Sequence, residues 1–160
     1  MNEIKRTEIA ENIFFTNIKD NRFKTIKISV TMIVPLESCT ASAYSLLTQV
    51  MTRSCSDYPM YMELNKKLAY LYGATLCSYS SKLGDNLALT FSITGLDDRY
   101  AIDKERISSE LVDLLCSIIF RPLLENDAFC TRDVEQERRQ LLDLIDSEFN
   151  EKRVFAVNRM

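Results

Sequence analysis

The side chains able to do chemistry in this chain are carboxylates, thiols, hydroxyls and phenols, because its 160 residues include no histidine. Imidazole is the commonest ligand of catalytic zinc and the commonest general base near neutral pH. Without it a Ser-His-Asp triad, a Cys-His pair and a His-based zinc protease site are closed to the chain acting alone. The five cysteines, at 39, 55, 77, 116 and 130, are odd in number and form no Cys-x-x-Cys pair, so neither a disulfide framework nor a zinc ribbon follows. Cys77 and Cys116 lie among apolar or small neighbours and read as core thiols. A catalytic cysteine needs a lowered pKa, which usually comes from a nearby histidine or helix N-terminus. Glu135, Glu137 and Asp143 offer oxygens to a metal, but carboxylates spaced like this more simply line a solvated helix face. Tyr70 and Tyr72 flank a helix end, where aromatic residues more often pack in the core or staple the end than stack on a ligand.

The elements that must position these residues read as a mixed α/β domain. Apolar residues make up 46% of the chain and charged ones 27%, an ordinary balance for a protein with a real core. Ile13 to Thr16 reads as a first, short strand. From Lys24 to Val34 the chain alternates, with Ile26, Ile28, Val30, Met32 and Val34 on one face, a half-buried strand ended by Pro35. A helix follows over about Ala41 to Thr52, with Ala43, Leu46, Leu47, Val50 and Met51 on one stripe. A second opens near Pro59, carries Tyr61, Leu64, Leu68 and Leu71, and closes at Gly73 in a left-handed cap. Thr75 to Ser81 and Asn86 to Thr94 form a hairpin across Lys82-Leu83-Gly84-Asp85, and a turn at Gly95 to Asp98 follows.

A third helix runs from about Asp103 to Phe120 with Ile107, Leu111, Leu114, Leu115 and Ile118 inward, and stops before Pro122. Leu111, Leu115 and Ile118 are expected to pack on a sheet face made by Ile28, Val30, Leu89 and Phe91. The last helix starts near Thr131 and keeps Val134, Leu141, Ile145 and Phe149 inward; Glu135 with Arg139 and Glu148 with Lys152 are outward pairs. The expected fold is therefore α+β: a largely antiparallel sheet with helices packed on one face. The net charge of −3 and the mixed charge pattern disfavour nucleic acid, and no apolar run is long enough to span a bilayer. The charged start lacks the apolar core of a secretory signal, so the expected location is cytoplasmic. A helical pattern still running at Met160, without cap, glycine or proline, reads as the N-terminal part of a longer protein.

From Ala43 to Ala156 the chain resembles the N-terminal domain of the insulinase/pitrilysin family of zinc metallopeptidases. The likeness is carried by Leu46-Leu47-Thr48-Gln49-Val50-Met51, Tyr58-Pro59, Glu63-Leu64, Leu71-Tyr72-Gly73-Ala74, Gly84-Asp85, Ile118-Ile119-Phe120-Arg121-Pro122 and Val134-Glu135-Gln136-Glu137-Arg138. The order and spacing of these pieces matter more than any one of them. Active members of that family carry His-x-x-Glu-His on the first early helix, two imidazoles holding zinc while the glutamate takes a proton from bound water. The resemblance puts the two histidines at Ser45 and Gln49, the base at Thr48 and the third ligand at Leu144. None of these four is suited to the task.

What the resemblance implies is a catalytically inactive peptidase-like subunit with no cofactor of its own, zinc being expected only in active relatives. Its expected partners are an active zinc peptidase subunit of the same family, or a second copy of itself, and an unfolded peptide. In active members substrate adds as a strand beside the zinc helix, which here is the edge Thr75, Leu76, Cys77, Ser78, Tyr79 and Ser80. The alternative is a stand-alone structural or interaction module that kept only the fold.

Overall fold

The computed structural model describes residues 3–102 and 105–150, with the backbone alone for residues 3 and 148–150. Asp103, Lys152, Ala156 and the side chains of Glu148 and Phe149 lie outside the described residues.

The charged start is a strand. β1 (Glu3–Ala10) pairs antiparallel with β2 (Ile13–Lys19), from Glu3 opposite Lys19 to Ala10 opposite Ile13, with a bulge near Ile9. Asn12, in the left-handed region at φ 59, lets the chain reverse over two residues. The sequence placed a single short strand here. Lys5, Arg6 and Glu8 mask the alternation of β1, and the ribbon buries neither face, so no apolar periodicity marks it.

The second sheet is the body of the domain. β3 (Thr25–Pro35), β4 (Thr75–Leu83) and β5 (Asn86–Leu96) form an antiparallel sheet in the order β3-β5-β4. β5 runs through Leu96, so the residues expected to open a turn at Gly95 still pair with β3. Gly84, at φ +59, makes the two-residue reversal between β4 and β5, and a side chain there would be strained by the backbone rather than by any neighbour.

Helices α1 (Ala41–Met51), α2 (Tyr61–Tyr70), α3 (Ile107–Phe120) and α4 (Thr131–Asn150) follow the expected positions closely, α3 starting later than expected. Glu63 accepts from the Met60 backbone N–H at 3.3 Å to fix the start of α2. At its end Gly73 takes φ +73 as expected, with Ala74 N–H bonded back to the Leu68 carbonyl. One cluster joins Met51, Leu64, Leu71, Phe91 and Ile93 to Ile107, Leu111, Leu115 and Ile118, with Ile28 and Val30 packed at its margin. The helices therefore cover one face of the sheet, as expected. α3 comes so close to β5 that a Cβ on Gly95 would stand 2.7 Å from a Leu111 methyl.

Several burial expectations fail. Tyr61, Tyr70 and Tyr72 are exposed, and Tyr72 instead uses its hydroxyl, accepting from Ile102 N–H and donating to Glu105. Cys77 and Cys116 are exposed, because they fall on the open sheet face and the outer side of α3; the core thiol is Cys55. Leu89 is buried but lies outside the cluster around Phe91. Ala43 is exposed, and so is Ile145, since α4 leans on α1 through its N-terminal half.

Candidate functional site

The site grows from the seam between α1 and β4. Side chains at even positions of β4 point to the helices and those at odd positions to the open face, so Leu76, Ser78 and Ser80 meet α1 while Cys77 and Tyr79 do not. On α1, Ser45 and Gln49 are one turn apart and face that strand. Ser45 Oγ and Ser80 Oγ share a hydrogen bond of 2.7 Å, and Gln49 Nε2 donates to the Ser78 carbonyl at 3.4 Å. Thr48 is fully buried, and its hydroxyl donates at 2.8 Å to the Ser45 carbonyl one turn back in its own helix. Thr52 extends the same seam with contacts to Gln49 and Ser78.

These are three of the four positions at which the resemblance calls for zinc chemistry. Hydroxyl and carboxamide groups are weak zinc ligands to begin with, and here they are committed to neighbours within the fold. Leu144, at the fourth position, is 59% exposed on α4 and has no ligating atom. The residues present do not fit zinc. Among the described residues no three His, Cys, Asp or Glu side chains stand close enough to share a metal ion. Glu135 pairs with Arg138 at 3.4 Å, one residue short of the Arg139 expected for it, while Asp143 is exposed.

Glu137 departs most from its reading as part of a solvated face. It is buried, and its Oε1 meets Arg53 Nη1 at 2.5 Å. Arg53, just past the end of α1, also reaches Gln136 with Nη2 at 3.2 Å and stands 3.7 Å from Asp133 through Nε. That Nε is buried without a hydrogen-bond partner, and the guanidinium lies 5.1 Å from the centre of the Tyr61 ring. The cluster ties α4 to α1 and floors a cavity of about 360 Å³. Gln49, Asn65, Gln136 and Gln140 give this cavity carboxamide walls, and Leu64, Leu68 and Leu76 make its apolar side. Sequence reasoning did not read Arg53, Gln136 or Gln140 as site residues. The one available signal was Gln136, Glu137 and Gln140 sharing a helical stripe, and nothing in the sequence says what that stripe faces.

β4 is an edge strand, with β5 on one side and, among the described residues, no strand on the other. Thr75, Leu76, Cys77, Ser78, Tyr79 and Ser80 therefore lie at the margin of the sheet beside α1. No helix among the described residues is long and apolar enough to cross a membrane.

Comparison with known proteins adds to this geometry. No protein-family profile matches the chain. Over 143 residues it is 28% identical to a Bacillus subtilis (strain 168) protein named probable inactive metalloprotease YmfF, a match that takes in 89% of this chain and 34% of the relative. A crystal structure of a conserved protein from Enterococcus faecalis V583 superimposes with a TM-score of 0.87 at 25% identity, over 96% of this chain and 36% of that one. The chain thus spans about a third of the length of both. Its likeness is therefore to a protein named as a probable inactive metalloprotease.

Proposed function

We propose that this chain is a non-catalytic, insulinase/pitrilysin-like unit, part of a longer polypeptide, that works by binding rather than by hydrolysis. The observation that carries this reading is the seam between α1 and β4. Ser45, Thr48 and Gln49 hold hydrogen bonds within the fold where active members of that family hold metal and base, and β4, which Ser45 and Gln49 brace, has no strand on its outer side among the described residues. Strand addition uses backbone groups, so capture of an extended peptide along Thr75 to Ser80 needs none of the lost ligands. The carboxamide cavity beside Leu76 suits a polar side chain of such a peptide. Its partners on this reading are an active zinc peptidase subunit or a second copy of the chain, and its location is the cytoplasm.

Two measurements on the same preparation test it. Protein purified free of metal, exposed to zinc and desalted is expected to retain no stoichiometric zinc and to cleave no unfolded peptide. Amide exchange is expected to slow at Leu76 to Ser80 when an unfolded peptide is added in excess. One tightly held zinc per chain, with peptidase activity lost on its removal, overturns the non-catalytic part. Unchanged exchange along β4, with the isolated and the partner-bound protein alike, overturns the peptide-binding part.

A further inference from the structure

The cavity at the end of α1 is bounded by charges that cancel and by amides with bonding capacity to spare. Arg53 lies against Glu137 and, at 3.7 Å, Asp133, while Asp133 is shared at 3.5 Å with Arg132. Two guanidinium groups therefore meet two carboxylates, and this cluster carries no net charge. An ion entering a space of about 360 Å³ would lose water and find each opposite charge already matched.

The amides differ from the charges in this respect. Gln49 uses Nε2 on the Ser78 carbonyl and Asn65 uses Nδ2 on the Tyr61 carbonyl, which leaves both amide oxygens as acceptors. Gln136 gives its Oε1 to Arg53 Nη2, which leaves its amide nitrogen as a donor, and Gln140 can offer either. Asn65, Gln136 and Gln140 are exposed while Leu64 and Glu137 are buried, so amides ring the mouth above a closed floor. Acceptors come from α1 and α2, and the donor from α4. A group with one donor and one acceptor side by side satisfies both walls. A carboxylate brings only acceptors, an ammonium or guanidinium only donors, and a hydrocarbon neither.

We propose that the cavity selects a primary carboxamide, the side chain of glutamine or asparagine, in a peptide added along β4. The selectivity rests on the reading of β4 as a peptide-binding edge. Leu76 supplies the geometry, because its side chain points to the helices and lines the cavity. A strand added at the outer edge runs about 4.8 Å from β4, and its residue opposite Leu76 turns to the same side. The methylenes of that residue lie along Leu76, Leu64 and Leu68, and its carboxamide meets the amides at the mouth. Binding such a group leaves no amide of the ring unmatched, whereas an apolar or ionised side chain strands polar groups as it displaces water.

Four unfolded peptides test it, identical runs of serine and alanine that carry Gln, Glu, Lys or Met at one central position. Each is titrated against the unmodified chain by fluorescence anisotropy, with amide exchange of β4 followed in parallel. The Gln peptide is expected to bind at least about tenfold more tightly than the other three, equivalent to about 1.4 kcal/mol, and to slow exchange at Leu76 to Ser80. In a chain carrying Asn65→Leu and Gln140→Leu, both at exposed helix positions, the preference for Gln over Met is expected to fall below about threefold while β4 stays protected. Four peptides bound alike, with β4 protected, overturn the selectivity and leave peptide capture standing. Tighter binding of the Glu, Lys or Met peptide overturns it too, as does a Gln preference that the double variant retains. No protection of β4 by any peptide overturns both readings. The peptide series on the unmodified chain decides the matter even where the double variant misfolds.

Discussion

α3 and the β1–β2 arm have similar lengths and each carries several large apolar residues, yet those residues stand at opposite extremes of burial. On α3, Ile107, Leu111, Leu114, Leu115 and Ile118 are each at most 3% exposed, whereas Ile4, Ile9, Ile13, Phe14, Phe15 and Ile18 on the arm are each at least 50% exposed. Isoleucine and phenylalanine occur in both, so residue type alone does not explain this. What separates them is periodicity: α3 gathers its apolar residues on one stripe against β5, while the arm distributes its own over two faces that the rest of the fold does not cover. Apolar content measures how much could be buried, and the pattern decides what is.

The largest test of that contrast is a pair of truncations. Leu115→Ala is expected to cost about 2–5 kcal/mol in denaturant unfolding, the range for a buried leucine. Phe15→Ala, which removes more apolar volume, is expected to stay within about 0.5 kcal/mol. Equal losses at both sites would mean that the arm packs on the body after all.

A contact held by charge sharpens the comparison from another side. Glu137→Leu leaves the guanidinium of Arg53 with Asp133 at 3.7 Å, Gln136 and the Tyr61 ring as its remaining partners. Since the Arg53 and Glu137 side chains are only 14% and 10% exposed, the loss is expected to be about 2–4 kcal/mol. Replacing both residues by leucine is expected to cost less than the two single losses added together. Strict additivity would show that the pair contributes little to holding α4 on α1.

The smallest effect belongs to the clamp at the base of the arm, where Arg99 donates to the Asn21 and Phe23 carbonyls. Three hydrogen bonds from Arg99, two from its side chain and one from its backbone N–H, hold the Asp97 carboxyl below its ordinary range. A folded-state value that is lowered contributes stability above the unfolded value, about 3.9, and loses it as the pH falls through the folded value. Asp97→Asn is therefore expected to melt slightly below the parent at neutral pH and to converge with it in acid. Solvent screening keeps the difference small. A gap that widened on acidification would reverse the assignment.

The body of this fold was legible in the sequence because its elements repeat with one clear period. The alternation from Ile26 to Val34 and from Leu87 to Ile93 marked β3 and β5, and the stripe from Ile107 to Ile118 marked α3. β1 was not legible, because a ribbon without a buried face has no reason to alternate. Within the candidate site, the mapping by resemblance of Ser45, Thr48 and Gln49 put them on one helix, and the α1–β4 seam brings them together. The Arg53–Glu137 pair was out of reach. It joins residues far apart in sequence, and an acid on a polar helix face carries no local mark of the partner that buries it. Tyr70 and Tyr72 misled for the opposite reason, since a large aromatic ring beside a helix end resembles a core residue until the chain path shows it facing water.

The order β3-β5-β4 has a consequence for the route by which the chain folds. β4 and β5 are joined by two residues, so their ladder can close almost as soon as the turn at Gly84 forms. β3 reaches β5 only after a loop holding α1, α2 and β4 has been drawn shut, and closure costs more entropy as the loop lengthens. Contacts of that kind slow a domain more than they weaken it. Until β3 arrives, the second edge of β5, from Leu87 to Leu96, is bare. In the finished fold β5 is the most protected strand; during folding it is the one for which a wrong partner has the most time.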